Sequence, residues 1–159
     1  MKRTSQIKIK EIRKQVQDFR EKSKQPLNDF IKENIHYIIK FSSKEWEEEF
    51  KRIYGQDANK NDFISLGMGG IIRKDKLQEY KQVLKADDLA TRTWLLADKK
   101  NAFNMFFYEM NNHEYIYDND DEAVLNACDI DQEFLKENDL QDTYNKARKY
   151  YWNIAVSYC

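Results

Sequence analysis

Proline occurs once in this chain, glycine four times, and cysteine and histidine twice each. Each shortage excludes something. So little glycine and proline argues against a loop-rich β-sandwich and for long helices. Two cysteines make no disulfide framework, and a reducing compartment, the cytoplasm, is the expectation. Two histidines, His36 and His113, show no paired spacing with Cys128 or Cys159, so a zinc site is not expected. The opening stretch, MKRTSQIKIKEIRKQ, lacks the apolar run of a signal peptide. No segment approaches the ~18 apolar residues of a membrane span, so no membrane partner is expected.

Aromatic and charged residues are plentiful. There are nine Phe, ten Tyr and three Trp, and 35% of the chain is charged. Its 159 residues suit one domain over 1–159, a basic amphipathic helix at 1–24 preceding an α+β body at 25–159. The net charge of −1 conceals a polarity. Residues 1–24 carry nine basic side chains against three acidic, and 109–142 carry twelve acidic against Lys136 alone. Such asymmetry bears on partners rather than on fold.

Periodicity predicts the elements. Ile9, Ile12, Val16 and Phe19 form one apolar stripe of a helix over 5–24. Gln25-Pro26 ends it and starts a short second helix. Alternation of Ile35, Tyr37, Ile39 and Phe41 predicts a strand over 35–41. Ser42 with Glu45 reads as a capping box, opening a helix that Gly55 closes. The crowded Gly67, Gly69 and Gly70 predict a hairpin across 62–73. Two helices are expected between Asp75 and Met110, with a break near Asp87-Asp88. An exposed acidic connection over 111–121 follows, then short helices around Ala123 and Phe134. The last helix carries its stripe through Leu140, Tyr144, Ala147, Tyr151, Ile154 and Tyr158. The fold class is α+β: several helices packed on a small, mostly antiparallel sheet of two to four strands.

Catalytic patterns are hard to assemble. The glycine cluster matches neither a P-loop nor a dinucleotide fingerprint, although Arg73 and Lys74 beside it leave an anion site conceivable. Asp118-Asn119-Asp120-Asp121-Glu122 begins like a calcium loop, but Ala123 and Asp129 stand where glycine and glutamate are needed. His113 beside Glu114 is the one acid–base pair an enzyme could use. The expectation is a protein without catalytic residues, cofactor or metal. Two binding surfaces compete. Glu114, Asp118, Asp120, Asp121 and Glu122 form an acidic face that could enter a basic groove of a protein partner. Lys8, Lys10, Arg13, Lys14 and Arg20 form a basic helix that could track an RNA backbone.

Several short features carry a resemblance over residues 30–130. They are the strand ending at Phe41-Ser42, the Gly67-Met68-Gly69-Gly70 turn, and Tyr108-Glu109-Met110-Asn111-Asn112-His113-Glu114 followed by an aspartate-rich turn. Together they resemble a family of small proteins of phages and Bacteroidota with no assigned catalytic residues. The resemblance implies a phage-type setting and an inhibitor of host defence. In that reading the chain is similar to an anti-CRISPR protein, acting on a type VI-B, RNA-guided nuclease effector or its guide RNA.

Overall fold

The computed structural model describes residues 3–156. It is α+β: nine α-helices and a three-stranded antiparallel sheet among the described residues. The chain forms two compact units. One comprises the chain up to Ser23 and from Asp87 onward, and the other comprises Lys24–Ala86.

The first unit is helical. Helix α1 (Arg3–Ser23) buries Ile12 and Val16, the centre of the stripe read from the sequence. Helix α5 (Lys99–Asn112) is buried on most sides through its middle, polar Asn104 and Glu109 included, as a central helix is. It packs against α1, against α9 (Gln141–Val156) and against the short α7 (Asp121–Ala127). Met105, Phe106 and Met110 of α5 meet Val124 and Leu125 of α7 and Leu140, Tyr144 and Ala147 at or near the start of α9. Full burial of each such aliphatic or aromatic side chain stabilises the unit by ~1.5–3 kcal/mol. Helices α6 (Tyr115–Asp118) and α8 (Gln132–Glu137) complete the unit with the C-terminal part of α4 (Leu77–Ala97).

The second unit holds the sheet. Its order is β1 (Ile35–Tyr37), β3 (Gly70–Arg73), β2 (Phe63–Gly67). Adjacent Ile71 and Ile72 point to opposite faces, as strand geometry requires. Ile72 packs with Ile35 and with Phe30 of α2 (Gln25–Asn34), beside Leu77 and Tyr80 of α4. Ile71 packs with Ile38 and with Phe50 of α3 (Ser43–Tyr54).

Three expectations need correction. The strand predicted over 35–41 is a strand only to Tyr37, although Ile38 N–H still donates to Gly69 O at 2.8 Å. The helix break lies at Asp98 rather than Asp87-Asp88. Asp98 adopts extended backbone and accepts from Lys100 N–H at 2.9 Å, capping α5. Asp87 is a buried member of α4 instead. The tract over 111–121 is no plain connection: it contains α6, and its Tyr115 is buried. The C-terminal stripe holds through Ile154, and Tyr158 lies outside the described residues.

Candidate functional site

The basic residues of α1 are not gathered on one face. Arg20 turns inward, its Nη1 2.5 Å from the buried carboxylate of Glu109. Its Nη2 donates to the Ala127 carbonyl at 2.9 Å, and its guanidinium lies over the Tyr108 ring. Lys8 places its ammonium 4.8 Å from the centre of the Tyr150 ring. Lys14 pairs with Asp18 at 3.2 Å, one turn along the helix. Lys10 and Arg13 remain exposed. Two of the five residues are thus drawn into intramolecular contacts beyond α1.

The acidic tract is also partly spent on structure. Asp121 Oδ1 accepts from the hydroxyls of Tyr115 at 2.7 Å and Tyr144 at 2.6 Å. Arg148 stands 3.6 Å from its other oxygen. Burial first, and the hydrogen bond to Asp121 second, push the Tyr144 hydroxyl far above the usual phenol range. Asp120 caps α7 by accepting from Ala123 N–H at 3.1 Å, and Asp118 accepts from Asp120 N–H. Glu114 holds a left-handed backbone (φ 49°) at the start of α6. Only Glu114 and Glu122 of the five are exposed without a bond of this kind.

His113 turns towards Glu109, with Nε2 3.3 Å from Oε2, and not to its neighbour Glu114. Arg73 lies 3.5 Å from Asp75 and over the Phe63 ring. The glycine cluster is a hairpin turn: Gly67, Met68 and Gly69 all have positive φ, and the ladder shifts register between Ser65 and Gly67. Cys128 is buried, and burial, then the nearby Glu109 carboxylate, push its thiol up. Such a thiol makes a poor nucleophile.

A second acidic surface draws on the later part of the 109–142 tract and adds Asp88 from α4, which the sequence did not connect to it. In the helical unit, a cleft of about 500 Å³ is lined by Asp88, Asp129, Asp131, Glu133 and Glu137, together with Ile130 and Phe134. Arg92 is its one basic residue, and its Nε donates to the Asp129 carbonyl at 2.9 Å. Asp131 caps α8 through Phe134 N–H at 2.9 Å. Glu133 and Glu137 are exposed, and no hydrogen bond or ion pair engages them among the described residues. Helix α4 contributes one side of this surface, and the segment from Asp129 to Glu137 contributes the other.

Carboxylate oxygens of Asp87, Asp88 and Asp129 lie within 4.8 Å of one another. They are the hard donors that calcium and magnesium take, but three fall short of the six to eight oxygens calcium requires from protein and water. The sequence separates Asp87 from Asp129 widely, so spacing gave no signal. The calcium-like run at Asp118 is instead folded into turn and cap hydrogen bonds.

Residues 15–150 match a family described as "Family of unknown function (DUF7659)", and the chain belongs to it. No curated protein and no solved structure matches the chain. No helix among the described residues is long and apolar enough to cross a membrane.

Proposed function

We propose that this member of the family is a non-catalytic binding protein whose acidic cleft docks a basic surface of a protein partner. The observation that carries the reading is the cleft: five carboxylates face one guanidinium, and Glu133 and Glu137 carry no internal bond. Half-buried Phe134 is the apolar side chain available beside the charges. Charges of one sign steer a partner of opposite sign and fix its orientation.

The functional surface therefore moves from the tract at 114–122 to the cleft; Glu122 lines a second hollow that shares Asp131 and Glu133 with it. His113 pairs with Glu109 rather than with Glu114, the partner its sequence position offers, and Cys128 is buried. A nuclease effector with a basic guide-RNA channel, in the bacterial cytoplasm, has the required chemistry. That partner class rests on the phage-type resemblance. RNA binding by α1 is weakened, since Arg20 and Lys8 are engaged within the fold.

The test is affinity capture of tagged chain from bacterial lysate, with and without ribonuclease. A basic protein retained after ribonuclease, and released as salt rises, is the expected result. Retention of RNA alone would reject the reading.

A further inference from the structure

In the sheet unit, one face of the sheet is covered only in part. Ile35, Ile72, Ile64 and Leu66 lie under α2 and α4. By alternation Tyr37 and Ile39 continue the Ile35 side of β1, yet they are 58% and 77% exposed. Phe41 is fully exposed, and Met68 at the tip of the β2–β3 turn is 94% exposed. Tyr37 and Ile39 lean over Gly70, which opens β3, and Gly69 just before it. The Tyr37 ring lies 3.1 Å from where a Cβ on Gly70 would stand, and Ile39 Cγ1 2.8 Å from one on Gly69.

The backbone beside this patch is open as well. Among the described residues β1 is an edge strand, paired only with β3. His36 sits opposite Ile71, and Ile38 donates to Gly69 O. In an antiparallel pair alternate residues exchange bonds with the neighbour, so His36 and Ile38 face β3. Tyr37 and Ile39 direct their N–H and C=O to the other edge. Exposed edges are normally guarded by proline, several charges or a bulge. The segment 35–41 has no proline, no acidic residue and one lysine.

We propose that this edge is a homodimer interface, in which the segment Tyr37–Ile39 pairs antiparallel with the same segment of a second copy. The outward groups of Tyr37 then bond those of Ile39 in the partner copy, and the reverse, about a two-fold axis at Ile38. This register sets an aromatic side chain against a β-branched one at each outer pair, a favourable cross-strand combination. It sets Lys40 opposite His36 rather than opposite another lysine. Tyr37, Ile39 and Phe41 expose roughly 500 Å² per copy, and edge pairing covers only part of it, so the expected dimer is weak and concentration-dependent. The two three-stranded sheets become one of six strands. This surface is separate from the acidic cleft, and the two proposals stand or fall apart.

Sedimentation velocity of the full chain, from micromolar to near-millimolar concentration, is the first test. A reversible dimer is expected, and Ile39→Lys converts it to monomer while leaving the circular dichroism spectrum unchanged. The register is tested by mild oxidation in a Cys159→Ser background. A mixture of Tyr37→Cys and Ile39→Cys chains forms a disulfide-linked heterodimer far faster than either variant alone. A monomer at every concentration overturns the proposal, as does a dimer indifferent to Ile39→Lys. A monomer that binds an extended apolar peptide at this edge overturns it too, and names the other occupant.

Discussion

Glu109 brings a carboxylate into the core of the helical unit, and Arg20 compensates it from α1. The side chain of Glu109 is 4% exposed and that of Arg20 is 22% exposed. Removing one member of such a pair leaves the other charge unmatched, which costs ~3–5 kcal/mol for fully buried partners. The unequal burial predicts an unequal cost. Arg20→Met leaves the deeper charge with His113 alone beside it and should destabilise more than Glu109→Gln, with both in the range of about 2–5 kcal/mol in urea unfolding. The double variant Arg20→Met, Glu109→Leu should recover most of the loss, because no unpaired charge remains. Equal single losses with no recovery would mean that packing, not charge, is what Arg20 supplies.

Tyr144 gives a second residue-scale expectation. Its hydroxyl ionises far above the ordinary phenol value of 10.0 because it is buried and bonded to Asp121. A group that holds its proton more tightly folded than unfolded stabilises the fold fully below the unfolded value and loses that contribution as pH rises past it. Stability should therefore be flat in this term at neutral pH and fall above about pH 10. Tyr144→Phe should cost about 1 kcal/mol at neutral pH and flatten the alkaline fall, as denaturant midpoints across the alkaline range would reveal.

Among the elements, the β2–β3 hairpin depends on glycine in a way that a single substitution separates. Gly67 (φ 87°) and Gly69 (φ 84°) both hold backbone that L-residues resist. A Cβ on Gly67 meets open space, but one on Gly69 meets the Ile38 carbonyl oxygen at 2.9 Å. Gly69→Ala should exceed Gly67→Ala in destabilisation by roughly 1–3 kcal/mol, the usual cost of overpacking. Equal losses by urea denaturation would mean the close approach of Ile38 can relax. This hairpin was legible because three glycines in four residues have few other uses. The stripe of α1, the Ser42 cap and the start of α2 at Pro26 were legible for similar local reasons. The end of β1 was not. Alternation runs to Phe41, but Gly69 is the last residue of the turn that Ile38 can reach, and the sequence does not show where a neighbour stops. The break between α4 and α5 was misplaced for another reason. Asp87-Asp88 and Asp98 look alike as polar interruptions, and only packing reveals that Asp87 lies buried within a continuous helix.

At the scale of the whole molecule, the charge polarity along the chain is real but does not map onto two opposed binding faces. Folding consumes charges at both ends of it. Arg20 and Lys8 leave the basic set, and Asp118, Asp120 and Asp121 leave the acidic one. What folding adds is Asp88, carried by α4 from outside the acidic tract to the rim of Asp129, Asp131, Glu133 and Glu137. A run of charge in a sequence shows how much is present, while caps, turns and pairs decide how much is left to meet a partner. Charge reversal separates the two surfaces, with capture from ribonuclease-treated lysate compared for wild type, a cleft variant (Glu133→Lys, Glu137→Lys) and a helix variant (Lys10→Glu, Arg13→Glu). The acidic cleft as docking site predicts that the protein retained by wild type is lost from the cleft variant and kept by the helix variant. Retention by the cleft variant, with loss from the helix variant, would contradict it.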